Sequence, residues 1–134
     1  MFSRVSEHVV FVYGTLRRGG VREMERSFPG SVYLGAGRVR GRLYDLGKYP
    51  GLVLDERAGE VVGELYLVSG EMLAAIDKLE DYRAEDSFAS LFVRKRADVV
   101  GEEGTRRCWV YVWNRQVGPR LATVDTGDWL TYRR

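Results

Sequence analysis

The sequence has few of the residues on which several classes of site depend. Its 134 residues include one cysteine, Cys108, one histidine, His8, and three prolines. A single cysteine excludes an internal disulfide and is typical of a protein in a reducing cytoplasm. One cysteine and one histidine are too few for a structural zinc site and argue against a Cys–His catalytic pair. We therefore predict a cytoplasmic protein without a metal site.

Long apolar runs and a strong charge of one sign are also missing. The longest apolar stretch, residues 9–13, is far shorter than the roughly 20 residues of a membrane-spanning helix. Residues 1–7 contain no apolar segment typical of a secretory signal peptide. The 21 basic and 19 acidic residues nearly cancel, which is not the balance of a nucleic-acid-binding protein. We therefore expect neither membrane nor nucleic acid as a partner.

The residues that are present indicate one globular domain over residues 1–134. Apolar residues make up 45% of the chain and charged residues 30%, an ordinary composition for a soluble core. The β-branched and aromatic runs predict strands at residues 9–13, 32–34, 39–46, 52–54, 61–68, 91–100 and 107–113. The first of these is apolar on both faces and is therefore predicted to be central. Residues 55–59 and 101–105 are interpreted as hairpin loops.

One segment, residues 69–80, has a clear helical pattern. Ser69 is a suitable N-cap, and Glu71 suits the positive end of the helix dipole. Residues 17–27 are a second, more polar candidate helix. Many strands around one good helix predict an α+β domain, with a small, strongly curved mixed sheet or barrel and flanking helices.

The predicted helix places one carboxylate near its apolar side. Counting about 100° per residue from Leu73, the apolar stripe centres near 270–300° and Glu80 falls near 340°. Asp77 and Asp81 fall at about 40° and 80°, away from the stripe. A carboxylate that faces a core needs a partner or a proton, because burying its charge is costly. Two interpretations stay open: a helix-end residue that turns to water or meets an arginine, and a carboxylate used in acid–base chemistry.

The first strand ends in the segment Tyr13-Gly14-Thr15-Leu16. A glycine here lets a ligand approach the backbone, whose N–H groups are then free to face an anion or a carbonyl oxygen. The segment is equally consistent with an ordinary turn. It is not a phosphate-binding loop of the Walker type, because the Gly-Lys-Ser/Thr sequence is absent.

The last predicted strand separates two kinds of side chain by its two-residue period. Cys108, on the side of Val110, is interpreted as a buried thiol. Trp109, Tyr111 and Trp113 share the other side. This aromatic stripe is interpreted either as core or as the wall of a small-molecule pocket.

Five segments, taken together, resemble one known family. They are Val12-Tyr13-Gly14-Thr15-Leu16-Arg17-Arg18-Gly19, Leu43-Tyr44-Asp45-Leu46-Gly47 with Tyr49-Pro50-Gly51, Gly63-Glu64-Leu65-Tyr66, Ile76-Asp77-Lys78-Leu79-Glu80-Asp81-Tyr82, and Trp109-Val110-Tyr111-Val112-Trp113-Asn114. Their order and spacing resemble the γ-glutamylcyclotransferase-like family, above all its short bacterial members and its γ-glutamylamine cyclotransferase branch. The resemblance covers residues 9–129.

The resemblance implies a fold, a reaction and a set of site residues. It implies a curled mixed sheet beside helices, and an enzyme that needs no cofactor. The expected substrate is a small γ-glutamyl compound, which would release 5-oxoproline and an amine or peptide. The family's acid/base glutamate falls on Glu80, and its substrate-binding loop falls on Tyr13, Gly14, Thr15 and Leu16.

The sequence departs from the family at three places and leaves other questions open. Asp81 stands where many members have glycine. The strand that contains Arg94 commonly begins with Tyr-Arg, whereas Phe92-Val93 precede Arg94 here, and residues 20–28 match no family pattern. One alternative is a non-catalytic small-molecule binding domain of the same fold, and another is a surface-interaction protein. The oligomeric state stays open between a monomer and a homodimer.

Overall fold

The computed structural model describes residues 7–133. The expectation about a signal segment falls mainly on residues 1–6, which lie outside the described residues. The elements, in chain order, are β1 (Glu7–Val12), α1 (Met24–Ser27), β2 (Val32–Asp45), β3 (Pro50–Leu54), β4 (Glu60–Ser69), α2 (Gly70–Leu79), β5 (Phe92–Gly101), β6 (Gly104–Trp113) and α3 (Trp129–Tyr132).

The sheet closes on itself to form a barrel. Its strand order is β3-β2-β4-β1-β6-β5, and β2 also pairs with β5 through Gly37 and Arg38. Five strands therefore form a closed ring, while β3 extends β2 outside the ring. Only the pairing of β1 with β6 is parallel; the other described pairings are antiparallel. The prediction of an α+β domain with a small mixed barrel is confirmed.

Strand β1 is apolar on both faces because each face covers a different core. Phe11 belongs to a cluster that draws side chains from all five barrel strands and fills the barrel interior. Val10 and Val12 belong to a second cluster, which packs the barrel wall against Leu73 and Ile76 of α2. Since successive side chains of a strand point to opposite faces, these two cores demand an unbroken apolar run. The prediction that this strand is central is confirmed.

Helix α2 begins where the sequence predicts and ends one residue early. The Ser69 side chain accepts a hydrogen bond from the backbone N–H of Met72 at 3.1 Å, so the predicted N-cap is confirmed. Glu80 follows the last helical residue as the C-cap. The prediction of a second helix at residues 17–27 is largely wrong, since only Met24–Ser27 is helical. Residues 15–22 instead form turns, which a positive φ of 87° at Gly19 helps to close.

Two predictions about strand connections are wrong. The runs at residues 32–34 and 39–46 form one continuous strand, because the glycines between them bend β2 at a bulge near Gly35 instead of ending it. Residues 55–59 do not form a hairpin loop, since β3 and β4 both pair with β2 and lie on opposite sides of it. The hairpin at residues 101–105 is confirmed, with Gly101 opposite Gly104.

Asp81 ends α2 in a conformation that side chains rarely adopt. Its φ is 55°, and it is the only non-glycine residue with a positive φ among residues 7–133. Glycine is common here in the resembling family, and aspartate is one of the few other residues that tolerate the left-handed region. The departure at this position is therefore compatible with the same turn.

We expect Asp81→Ala to lower the free energy of unfolding by about 1 kcal/mol, because alanine keeps a Cβ and lacks the polar group that eases the left-handed conformation. Asp81→Gly is the matched control and should not lose stability. Urea unfolding of the two variants measures the difference. Equal stability of the alanine and glycine variants would contradict this account of the turn.

None of the helices in the described part of the chain is long and apolar enough to cross a membrane.

Candidate active site

A cavity of about 330 Å³ opens at the end of the barrel where β1 finishes. It lies between the segment that follows β1, the turn before β3, the end of α2 and the first residues of β5. Its lining includes all five residues that the sequence predicts for the site, namely Tyr13, Gly14, Thr15, Leu16 and Glu80. The fold therefore brings the predicted base and the predicted loop to one cavity.

Glu80 is the only carboxylate residue among the described residues that line the cavity. Desolvation raises the pKa of Glu80 to about 7, and the nearby Arg22 guanidinium opposes that rise. In residues 7–133, no group donates a hydrogen bond to its carboxylate. A carboxyl group with these properties exchanges a proton near neutral pH, as a general acid or base must.

The loop after β1 keeps backbone N–H groups unused at the cavity. The carbonyl oxygens of Gly14, Thr15 and Leu16 accept hydrogen bonds from the backbone N–H groups of residues 17, 22 and 24 at 2.9–3.1 Å. Within the described chain, the N–H groups of Thr15 and Leu16 have no acceptor. In a trans peptide the carbonyl of one residue and the N–H of the next point in opposite directions. The N–H groups of Thr15 and Leu16 therefore point away from the hydrogen bonds that hold the carbonyls of Gly14 and Thr15.

Two tyrosines line the cavity with their hydroxyl groups already engaged. The Tyr13 hydroxyl donates to the backbone carbonyl of Tyr111 at 2.6 Å and accepts from the N–H of Leu52 at 3.3 Å. The Tyr111 hydroxyl donates to Asp77, whose carboxylate lies 3.5 Å from Nε of Arg94. Burial and the proximity of Glu80 raise the pKa of Tyr13, so its hydroxyl stays protonated. These hydroxyl groups shape the cavity wall and leave Glu80 without a donor.

The outcome for the aromatic stripe and for Asp77 differs from the simplest expectation. Tyr111 is buried and lines the cavity, whereas Trp109 and Trp113 pack beside the second core. Both interpretations of the stripe are therefore correct for different members.

Asp77, placed off the apolar stripe by the helical count, is half-buried because Tyr111 from β6 reaches it.

Two cations at the cavity were not singled out by the sequence. Arg22 and Lys48 both line it, are solvent-exposed, and form no ion pair with a described acidic residue. They come from two loops without a regular pattern, so neither periodicity nor spacing marks them. Their position suits a ligand that carries a carboxylate.

Ionic contacts outside the cavity hold the residues that follow the loop. Glu64 is 7% exposed, and its two carboxylate oxygens accept from Nε of Arg17 at 2.7 Å and from the backbone N–H of Arg18 at 2.8 Å. Arg17 also donates to Asp128 at 2.9 Å. Asp128 in turn caps α3 by accepting from the N–H groups of Leu130 and Thr131. The residues that follow the barrel are thereby joined to the cavity loop.

The remaining candidates from the sequence lie elsewhere. Cys108 is buried in the barrel, where burial raises its pKa to about 11, so the interpretation as a buried thiol is confirmed. His8 lies half-buried on β1. Residues 7–133 contain no group of three or more side chains placed to hold a metal ion.

Comparison with known proteins assigns the family. A profile described as gamma-glutamyl cyclotransferase, AIG2-like, matches residues 10–131. The chain belongs to this family. The match spans nearly the whole described chain and contains every predicted site residue.

Relatives support the same assignment. The gamma-L-glutamyl-butirosin B gamma-glutamyl cyclotransferase of Niallia circulans is 37% identical over 127 residues, covering 92% of this chain and 76% of that protein. A Vibrio cholerae protein that provisionally carries the name gamma-glutamylcyclotransferase is 39% identical over 127 residues, covering 92% and 96%. The crystal structure of an AIG2-like protein from Mus musculus is 25% identical with a TM-score of 0.71, covering 89% and 86%. The chain is a γ-glutamylcyclotransferase-like enzyme.

A phenylalanine that precedes Arg94 also lies at the cavity. Phe92 is buried and lines the cavity, with its ring 5.9 Å from that of Tyr49. This γ-glutamylcyclotransferase-like site therefore has an apolar edge at the start of β5.

Proposed function

We propose that this enzyme converts a γ-glutamyl compound into 5-oxoproline and a free amine or peptide. The observation that carries the proposal is that Glu80, whose pKa desolvation raises to about 7, lines the same cavity as Thr15 and Leu16, whose backbone N–H groups have no acceptor in the described chain. The comparisons support cyclotransferase activity in general; the product and the substrate are our inference.

The reaction requires a bent conformation of the substrate, in which its α-amine lies next to its γ-carbonyl. The α-amine of a γ-glutamyl group can attack its own γ-carbonyl, which closes a five-membered lactam and breaks the bond to the leaving nitrogen. Holding an intramolecular nucleophile in the reactive geometry is worth effective molarities of about 10⁵–10⁸ M in favourable cases. A cavity of about 330 Å³ lies within the size range of small-molecule binding pockets.

Glu80 is the proposed proton carrier. The substrate's α-ammonium group loses two protons as the lactam nitrogen forms, and the leaving nitrogen gains two to depart as an ammonium. Ionised Glu80 accepts each of these protons in turn and delivers it to the leaving nitrogen, so the carboxylate is ionised again after the second transfer. A positioned acid–base group of this kind typically contributes about 10²–10⁴-fold to the rate.

The loop and the cations are the proposed binding groups. Charge builds on the γ-carbonyl oxygen during attack, and the N–H groups of Thr15 and Leu16 are fixed donors of the kind that stabilise an oxyanion. Arg22 and Lys48 are placed for the substrate's α-carboxylate. Tyr13 and Gly14 form the wall of the same subsite.

The competing function is a binding domain that holds γ-glutamyl metabolites without converting them. The site geometry favours the enzyme. A binding pocket gains nothing from a carboxylate that is desolvated and lacks a hydrogen-bond donor, since that carboxylate costs free energy in its ionised form.

A product assay separates the two functions. Purified protein would be incubated with γ-glutamyl-alanine, glutathione and γ-glutamyl-ε-lysine, and 5-oxoproline would be quantified by mass spectrometry. Release from at least one compound, absent with Glu80→Gln, is the expected result. Binding of these compounds without turnover would establish the binding function instead.

The pH dependence of the native enzyme should follow Glu80. We expect kcat/KM to rise with pH through about 7, because Glu80 must lose its proton to act as the base. Replacing Arg22 with methionine removes the cation that favours the ionised form, so the rising limb should move to higher pH. Lys48→Met is the matched control: it also removes a cavity cation but should leave the limb in place. If the rise of kcat/KM with pH occurred at the same pH in the Arg22 variant as in the native enzyme, the assignment of this rise to Glu80 would be contradicted.

A further inference from the structure

We propose that Glu64 is a positioning residue, which acts with Arg17 and Asp128 to hold the cavity loop so that its free N–H groups face the substrate. The inference rests on the proposed function, since it assigns the cause of the loop geometry on which that function depends. Glu64 does not line the cavity and acts only through the loop.

The contacts of Glu64 fall on the two residues that directly follow the loop. One oxygen binds the Arg17 side chain and the other binds the Arg18 backbone, so the carboxylate grips the chain at two consecutive positions. The backbone N–H of Arg17 donates to the Gly14 carbonyl at 3.1 Å. The same short stretch thus ties down the peptide whose N–H belongs to Thr15. A change at Glu64 is transmitted to that N–H through one turn of backbone.

Arg17 is suited to bridge two carboxylates. Its Nε donates to Glu64, and its Nη1 donates to Asp128, while its side chain is 13% exposed. The planar guanidinium presents several donors in a fixed fork, whereas a lysine ammonium is a compact point charge on a flexible stem. Partial burial opposes ionisation of Asp128, but the hydrogen bonds from Arg17 and from the α3 backbone hold the pKa of Asp128 below its usual value. Asp128 is therefore ionised at neutral pH.

Stability alone is a poor reason for such a network. Removing two carboxylates and a guanidinium from water costs about as much as their mutual attraction returns, and well-packed apolar residues are often as stabilising. What an ionic cluster supplies better than an apolar one is a fixed geometry of donors and acceptors. Here the geometry that is fixed belongs to the loop beside the proposed base.

The test compares ligand binding, turnover and backbone exchange in four variants. Glu64→Gln keeps the size of the side chain but loses the charge that holds Arg17. Asp128→Asn is milder, because asparagine still caps a helix. Arg17→Lys keeps the charge and loses the fork. Val99→Ala is the control, since Val99 is fully buried in the barrel and does not line the cavity.

Positioning predicts a specific pattern. In Glu64→Gln and Arg17→Lys, the Kd for 5-oxoproline measured by calorimetry and the KM for the best substrate should rise at least about tenfold. The Arg18 amide should exchange faster with solvent. Asp128→Asn should show a smaller change in the same direction. Val99→Ala should lower the melting temperature without changing the Kd.

The outcomes separate this inference from the proposed function. If the native enzyme neither binds 5-oxoproline nor releases it from any γ-glutamyl compound, the proposed function and this inference fail together. If the native enzyme is active and Arg17→Lys binds 5-oxoproline as tightly as the native protein, only the positioning role is overturned. A Kd that rises equally in Val99→Ala would also overturn it, because general loosening would then explain the effect.

Discussion

Replacing Glu80 with glutamine is expected to abolish 5-oxoproline release and to make the protein more stable at pH 8. Glutamine has the size of glutamate but does not exchange a proton, so turnover should fall by at least about 10²-fold. The gain in stability follows from the pKa of about 7 in the folded protein, against an ordinary value of 4.5. Each pKa unit of difference corresponds to about 1.4 kcal/mol. Removing the ionised carboxylate should therefore raise the free energy of unfolding by about 1–3 kcal/mol.

The sign of this stability change depends on pH. Below about pH 4.5 the carboxyl group is protonated in both the folded and the unfolded chain, so the variant should gain nothing there. Between about pH 4.5 and 7 the unfolded chain releases its proton first, and the native protein loses stability relative to the variant. Above pH 7 the difference should be constant. Melting curves at pH 4, 6 and 8 measure this. Native-like activity in the variant, or a stability difference that is the same at all three values, would contradict the role of Glu80.

Replacing Gly14 with alanine is expected to lower both kcat/KM and the stability of the protein. A Cβ at this position would lie 2.8 Å from Cγ and from Cδ of Pro50. The proline ring is rigid and belongs to the first residue of β3, so the loop must move and carry the N–H groups of Thr15 and Leu16 with it. We expect kcat/KM to fall by about 10²-fold, with a loss of about 1–3 kcal/mol in stability from overpacking.

A second glycine provides the matched control for Gly14→Ala. Gly59 lies in a loop where an added Cβ would meet nothing within 4 Å. Gly59→Ala should therefore leave activity and the Kd for 5-oxoproline unchanged. If Gly14→Ala retained native kcat/KM, the close approach of the loop to Pro50 would be irrelevant to function, and the proposed oxyanion role would be lost with it.

The sequence was sufficient where a local period decides the structure. The period of α2 and the Ser69 cap predict the helix, and the same helical count places Glu80, unlike Asp77 and Asp81, near the apolar stripe. The two-residue period of β6 likewise separates Cys108 from Tyr111. In both cases neighbours along the chain determine which side a residue faces, so spacing alone carries the information.

The sequence was insufficient where distant segments meet. Glu64 is visible as a charged residue within an apolar strand, but its partners lie 47 and 46 positions earlier in the chain. Arg22 and Lys48 reach the cavity only because two irregular loops converge there. The glycines of β2 are read as a break because glycine often ends a strand, whereas here Gly35 adopts a φ of 121° at a bulge within a continuous pairing.

The fold brings together residues that the family resemblance and the helix count predict for the site. The resemblance predicts the loop at residues 13–16 and the base at Glu80, and both lie at one cavity although 64 positions separate Leu16 from Glu80. The functional roles of these five residues stay predictions until the variants above are measured.

One isotope measurement tests lactam formation most directly. The enzyme would be supplied with γ-glutamyl-alanine, or with the best substrate from the product assay, in H₂¹⁸O. Intramolecular attack predicts 5-oxoproline and the amine in equal amounts, with no ¹⁸O in the 5-oxoproline, because water takes no part. Glutamate labelled with ¹⁸O as the first product would show that water attacks the carbonyl, and it would contradict the account.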